Sequence, residues 1–201
     1  SYSVTGVQTC ALPISPAITP SGPATFCEGG SVTLTSGAGT TYLWSTGATT
    51  QSIDVNESGS YTVQITDVNG CQSPPSAAVL VTVDQLPTAA TIAITPLNYC
   101  GTLTSGALGG NTPTVGTGAW SIFSGGTGTF SDVANGSSTF VADTYGTYVL
   151  RWTISNGTCT PSSADVTVNY YESPTTATIT ASPLNYCGTL TSGALGGNTP
   201  T

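Results

Sequence analysis

The chain reads as all-β, organised as small β-sandwiches in tandem, and three observations carry that expectation. Short stretches alternate apolar and polar residues between clusters of Gly, Pro, Asn and Ser, the pattern of half-buried strands joined by turns. No stretch has the periodicity of a helix of useful length. Pro96 to Thr114 recurs residue for residue at Pro183 to Thr201, an offset of 87. A repeat of that length exceeds helical and leucine-rich solenoid units and suits one sandwich per repeat.

The elements follow in order. In a first domain, residues 16–86, Val32 and Leu34 share a face, as do Tyr42 and Trp44, then Ile53 and Val55, then Tyr61, Val63 and Ile65, then Val79, Val81 and Val83. Five or more strands with one apolar face each make two packed sheets. A second domain, residues 87–173, repeats the plan with Ile92 and Ile94, Leu103 and Leu108, Trp120 and Ile122, and Phe140. Tyr148, Leu150, Trp152 and Ile154 follow on one face, and Val166 and Val168 close it. Residues 174–201 open a further copy. Assembly of short reads tends to break inside near-identical repeats, so Thr201 is expected to be a contig edge and the native protein longer.

Composition excludes several function classes. The 201 residues carry nine acids against one base, Arg151, for a net charge of −8, with 25 Gly, 13 Pro and 39 Thr. One cation cannot neutralise several phosphates, and the net field repels nucleic acid and anionic lipid. Without His there is no Ser-His or Cys-His nucleophile and no imidazole metal ligand. Without Lys there is no Schiff base, Walker phosphate loop or Lys–Asn crosslink. Regular alternation of Val, Ile, Tyr and Trp argues for folding over disorder despite the low charge. Thr suits the outer face of strands, and twisted sandwich strands do not supply the flat Thr array of an ice-binding surface.

Val4 to Ile14, V-T-G-V-Q-T-C-A-L-P-I, resembles a translated sequencing adapter. This implies assembled environmental or draft DNA, with residues 1–15 foreign and disordered, Cys10 outside the native cysteine count, and any signal peptide missing. Glu57-Ser58-Gly59-Ser60-Tyr61 and Tyr145-Gly146-Thr147-Tyr148 resemble the tyrosine corner of immunoglobulin-like domains, with Trp44 and Trp120 at the place of the buried strand-C tryptophan. F-C-E-G-G-S-V-T-L-T, Y-L-W-S-T-G-A-T-T-Q-S-I and S-G-S-Y-T-V-Q-I-T-D-V-N-G-C resemble the Ig-like repeats of large Bacteroidetes surface, adhesin and gliding-type proteins, many exported by the type IX pathway. N-Y-C-G, G-T-G-A-W-S-I-F-S-G-G-T-G-T-F and G-T-Y-V-L-R-W-T-I-S-N-G-T-C-T resemble the PKD-like repeats of the same proteins. The resemblance covers nearly all of residues 16–201. It implies tandem Ig-like and PKD-like sandwiches with no catalytic residues to carry over.

Cys27 and Cys71 fall in the first domain, Cys100 and Cys159 in the second, and Cys187 in the third. Two per repeat without a C-x-x-C point to disulfides in an oxidising exterior. Pairing within domains gives Cys27–Cys71 and Cys100–Cys159. Cys27, however, precedes strand B at one pole and Cys71 follows strand F at the other, and a disulfide needs α-carbons within roughly 7 Å. Adjoining poles of successive domains offer Cys27–Cys159 instead, a covalently stapled rod. Both schemes stand at this point.

Glu28, Asp54, Glu57, Asp67, Asp84, Asp132, Asp143, Asp165 and Glu172 are the carboxylates. Scattered on loops and strand edges, they do not form the acid pair of a glycosidase. No cofactor is expected. Asp67, in the loop after strand F, and Asp84 and Glu172, which flank linkers, are candidates for a junction calcium, without any D-x-D-x-D run. Trp44, Trp120 and Trp152 have inward phase, and Trp44, Tyr61, Trp120, Tyr148 and Trp152 form the expected structural core. Tyr170 and Tyr171 are adjacent, so one faces out, and Arg151 has outward phase and an expected surface ion pair. Asn56-Glu57-Ser58, Asn135-Gly136-Ser137 and Asn156-Gly157-Thr158 match the glycosylation sequon but read as turns. The expected role is a non-catalytic extracellular stalk or spacer. Its expected partners are neighbouring repeats and, through avidity, extracellular polysaccharide or other cell surfaces, with no nucleic acid and no membrane insertion. The alternative is an accessory module of a secreted polysaccharide-degrading enzyme, marked by an exposed aromatic row.

Overall fold

A computed structural model describes residues 14–93, 95–179 and 196–197. The expectations placed on residues 1–13, Cys10, Ile94 and Cys187 lie outside these residues. The chain forms two compact units: one runs to Ala90 and takes in Thr112–Gly118 and Thr153–Ser163, and the other comprises Thr91–Asn111, Ala119–Trp152 and the residues from Ala164 onward. The described residues are all-β, and no helix among them is long and apolar enough to cross a membrane.

Alternation builds the first sandwich from β1 (Ile18–Pro20), β2 (Thr25–Cys27), β3 (Val32–Ser36), β4 (Thr41–Trp44), β5 (Ser52–Val55), β6 (Gly59–Tyr61), β7 (Val63–Thr66) and β8 (Val79–Asp84). One sheet has the order β1-β3-β5, and two further sheets, β6-β8-β2 and β4-β7, follow each other along the β6–β7 stretch of chain. On β3, Val32, Leu34 and Ser36 point inward. Thr33 and Thr35 point outward and bond their cross-strand partners on β5, Asp54 at 2.6 Å and Ser52 at 2.9 Å. Val32, Leu34, Trp44, Val55, Tyr61, Val63 and Val81, drawn from all three sheets, pack into one core. A fully buried side chain of the size of Leu34 contributes about 2 kcal/mol by removal from water.

β6 and β7 are one stretch of chain broken only at Thr62, and the break lets it serve β8 and then β4. Beside β7 runs a segment containing Pro74 and Pro75, which have no N–H to give a ladder. The serines flanking the prolines pair with β7 in both directions: Ser76 N and Ser73 N donate to Val63 O and Ile65 O, and their hydroxyls accept from Val63 N at 3.1 Å and Ile65 N at 3.0 Å. Both serines are buried, so without these bonds two backbone donors would be orphaned.

The second sandwich comprises β9 (Leu97–Cys100), β10 (Thr117–Ser124), β11 (Gly128–Phe130), β12 (Phe140–Ala142), β13 (Gly146–Ser155) and β14 (Ser162–Tyr171). One layer has the order β10-β13-β14-β9, with β9 parallel to β14. The other pairs β11 with β12, and residues 103–110 extend it without forming a regular strand, through Ser105 N to Phe140 O at 2.8 Å and Leu108 N to Ser138 O at 2.9 Å. Leu108 is fully buried there. Gly110 lies flat against Trp120 and Trp152, where a Cβ would come within 3.0 Å and 3.1 Å of the rings. Ile92 bridges Gly110, and the same bridge recurs one repeat later between Ile179 and Gly197.

The core of this sandwich is a run of touching rings. Trp152 meets Trp120 at 5.2 Å between centroids, and the series continues through Phe130, Phe140, Tyr148 and Tyr170 to Tyr99, every step at or below 6.2 Å. Such pairs add about 0.5–1.5 kcal/mol each beyond their burial. Burial pushes the Tyr170 phenol up to about 12, and its hydroxyl donates to Phe140 O at 3.2 Å.

Both tyrosine corners are formed. Tyr61 donates to Glu57 O at 2.9 Å and Tyr148 to Thr144 O at 3.0 Å, each four residues back. Each bond ties the loop before a central strand to that strand's core-facing ring. Tyr148→Phe keeps the ring and deletes the bond, and should cost about 1 kcal/mol. Guanidinium unfolding followed by Trp fluorescence measures this, and an unchanged midpoint would show that the corner adds no stability.

Candidate functional site

The side chains that converge most closely lie around the Asn156-Gly157-Thr158-Cys159 turn. Cys159 N donates to Asn156 O at 3.0 Å, closing the turn, and Gly157 has φ +48°. Asp84, the last residue of β8, sends its carboxylate over Gly157, where a Cβ would collide with it. That carboxylate accepts from Thr158 N at 2.7 Å and Thr158 Oγ1 at 2.9 Å. Asn156 Nδ2 donates to Gln85 O at 2.8 Å. Cys159 is bonded to Cys27 with α-carbons 4.8 Å apart and a sequence separation of 132. Its sulfur lies 3.4 Å from Asp84 O and 3.3 Å from Gln85 O; a disulfide sulfur carries no proton, so these are packing contacts. Cys27 is opposite Asp84 in the parallel pair β2–β8, and Glu28 N donates to Asp84 O at 2.8 Å. All these groups belong to the first compact unit.

Cys27–Cys71 and Cys100–Cys159 are therefore not formed. Cys71 is buried and is itself disulfide-bonded, and Cys100 is an exposed free thiol. The carboxylates considered for calcium are differently employed. Asp84 caps the turn just described. Asp67 accepts from Asn69 N and Cys71 N, both at 2.8 Å, and these bonds, that of Cys71 first, hold its carboxyl below the usual aspartate range. Glu172 is exposed, and its carbonyl accepts from the Cys100 thiol at 3.4 Å. Among the described residues no three His, Cys, Asp or Glu side chains gather as metal ligands.

Trp44, Trp120 and Trp152 are at most 4% exposed, so they present no sugar-stacking face. The indole N–H groups of Trp44 and Trp120 reach Thr50 O and Asn135 O at 2.8 and 3.0 Å. Tyr170 is buried and Tyr171 exposed. Arg151 makes a two-pronged pair with Asp165 at 2.7 and 2.9 Å and lies 3.7 Å above the exposed Phe123 ring. That hydrogen-bonded pair raises the Arg151 pKa and lowers that of Asp165. An open groove of about 520 Å³ beside β5 includes Asp54 and Glu57 in its lining. Asp54 is bound to Thr33 there, and Glu57 contributes its carbonyl to the Tyr61 corner. All three sequon segments are turn or strand-edge structure: Asn156 spends its amide on Gln85, Ser137 N donates to Asn135 Oδ1 at 2.9 Å, and Ser58 Oγ accepts from Val83 N at 2.8 Å.

No family model and no curated protein matches the chain. Solved structures do resemble it. Murine CEACAM1b aligns with a TM-score of 0.51 at 16% identity, over 78% of this chain and 100% of that one. Extracellular domains 3–5 of Drosophila OTK align with a TM-score of 0.48 at 14% identity, over 78% of this chain and 62% of that one. The PKD domain from KIAA 1837 protein gives a TM-score of 0.36 at 15% identity, over 43% of this chain and 89% of that one. At these identities the likeness is one of fold, that of tandem immunoglobulin-like β-sandwiches.

Two outcomes test the site. Gly157→Ala forces a side chain into the Asp84 carboxylate at a left-handed φ, so in a glutathione redox buffer the fraction of molecules with Cys159 alkylatable should rise several-fold. An unchanged fraction would mean that the turn does not guide the bond. Asp67 has a lowered folded pKa, so its contribution to stability is complete above the unfolded value and is lost as pH falls through the folded one. NMR titration should show the Asn69 and Cys71 amides shifting together with the Asp67 carboxyl, below the ordinary aspartate range. Amides that move at the ordinary value would contradict the assignment.

Proposed function

We propose that this segment is a non-catalytic extracellular spacer, part of a stalk on a bacterial surface protein of the Bacteroidetes adhesin type, exported by the type IX pathway. The observation that carries the reading is the Cys27–Cys159 bond. Disulfides persist in oxidising exteriors, and this one encloses most of both sandwiches in a single covalent loop. A load entering before Cys27 and leaving after Cys159 passes through the sulfur atoms. This direct covalent path bypasses most of the enclosed chain.

Supporting the same reading, the Trp side chains are spent on cores, and Asp54, Asp67 and Asp84 bond to nearby hydroxyl and backbone groups. Repetition supplies what a tight site does not: many weak contacts with polysaccharide or another cell surface gain by avidity. The accessory-module alternative needs an exposed aromatic row, and the buried tryptophans give it no support.

Single-molecule force spectroscopy, with handles at the two termini, measures the effect. Reduction with dithiothreitol should lengthen the fully stretched chain by about 450 Å, the extended length of the enclosed loop. Without reductant, Cys27→Ser should show a contour longer than that of the oxidised chain and short of the fully reduced one, because the Cys71 bond remains. Equal contour lengths in the oxidised and reduced states would overturn the proposal.

A further inference from the structure

The cysteines of the two sandwiches occupy matching positions. Cys27 ends β2, which runs parallel to β8 with Cys27 opposite Asp84; Cys100 ends β9, which runs parallel to β14 with Cys100 opposite Tyr171. The next residue closes each pair in the same way, Glu28 N to Asp84 O at 2.8 Å and Gly101 N to Tyr171 O at 2.9 Å. Asp84 and Tyr171 are themselves one repeat offset apart, and the segments after them keep Pro87 and Pro174, Thr88 and Thr175, Thr91 and Thr178 in step. Likewise Cys71 and Cys159 both close the loop that follows the strand of a corner tyrosine, in D-V-N-G-C and S-N-G-T-C. Both are buried and both are oxidised.

The bond that forms, Cys27–Cys159, thus joins a strand-end cysteine to a loop cysteine of the later sandwich and passes over the loop cysteine of its own. Cys100 is the other strand-end cysteine, and its thiol is exposed and free. Its sulfur rests 3.4 Å from Glu172 O. Gln85, one repeat earlier, has its carbonyl 3.3 Å from the Cys159 sulfur. The carbonyl that packs against the incoming sulfur in the completed bond is here taken up by the waiting thiol.

We propose that Cys100 is the attachment point for the loop cysteine of a succeeding 87-residue repeat, so that Cys27–Cys159 is one link in a series of like disulfides. The proposal rests on the spacer reading and names its partner: the S-N-G-T-C-type loop of another copy of this chain's own repeat. Two thiols lose two protons and two electrons to form the bond, and an extracellular disulfide oxidant is reduced to two thiols. The two sites differ at one residue. Tyr171 stands where Asp84 does, so the second link lacks the carboxylate that caps Thr158, and under a glutathione redox titration it should open before Cys27–Cys159.

The test extends the full chain beyond Thr201 with a copy of residues 115–173, which completes the repeat, and oxidises it with glutathione. Pepsin fragments analysed by mass spectrometry without reduction should contain Cys27–Cys159 and a second bond from Cys100 to the appended counterpart of Cys159. Cys100→Ser should leave that counterpart open to alkylation. If Cys27–Cys159 forms and Cys100 stays alkylatable or pairs elsewhere, the link is wrong, while the spacer reading stands or falls on the force measurement. A second measurement needs no extension: the 201-residue chain and a peptide of residues 153–161 should form a mixed disulfide at Cys100 several-fold faster than with the same residues scrambled. Equal rates would overturn the proposal.

Discussion

The covalent tie between Cys27 and Cys159 is the constraint around which the other contacts of the first unit are arranged. It closes a loop of 132 residues in sequence separation. In the chain-entropy account, such a loop costs the unfolded state about 5 kcal/mol of freedom. That is of the order of the whole stability of a small domain. The bond forms because three hydrogen bonds from Asn156 and Thr158 seat the turn on Asp84 and Gln85, which places the sulfurs within bonding reach. A chain with one cation has no charge network with which to do the same work. The Asp84 carboxylate is matched instead by a backbone N–H and a hydroxyl, donors that do not depend on a counter-charge.

Within each sandwich the same economy of charge is visible. The corner tyrosines pin loops through phenol-to-carbonyl bonds, and buried serine hydroxyls accept from strand N–H groups beside prolines or irregular backbone. The second sandwich relies more on rings. Its series from Trp152 to Tyr99 crosses both layers and explains why Gly110 and Gly128 sit where they do, since a side chain at either would displace an aromatic face. Arg151 also follows this logic: beyond pairing with Asp165, its guanidinium covers Phe123, which alternation on β10 leaves facing water.

Much of this is legible in the amino-acid sequence. Alternation identified β3 to β8, β10 and β12 to β14 because burial on one face imposes a period of two, whereas the short β1, β2, β9 and β11 gave no such pattern and the stretches at Ile92 and Leu103–Leu108 form no regular strand. The corner tyrosines were legible because their partner lies four residues away. The tie was only half legible. Strand polarity spoke against Cys27–Cys71, but choosing Cys159 requires knowing which poles meet. Asp84 was read as a candidate calcium ligand because it flanks a linker; its partner Thr158 lies 74 residues on, a distance over which sequence pattern carries no signal. The break at Thr62 and the hydroxyl acceptors that Ser73 and Ser76 offer to β7 are equally silent in the sequence. Phe123 could have been found from the alternation that placed Trp120 and Ile122, had its outward phase been followed.

The polarity of the tie has a consequence for a repeating chain. Cys27 and Cys159 occupy unlike positions of their sandwiches, one at a strand end and one in a loop, so the connection runs head to tail. A connection between like positions satisfies itself once two partners have met. A head-to-tail connection presents unlike groups at its two ends, and its natural product is an open series. In the first sandwich Cys27 has found its loop cysteine, and in the second Cys100 has the same register, the same closing backbone bond and an unspent thiol. A polarity of this kind lets a gene lengthen a tandem array by copying one unit. In the proposed series, each added repeat brings the loop cysteine that its predecessor accepts and the strand-end cysteine that its successor needs, and no new sequence has to be invented at the joint.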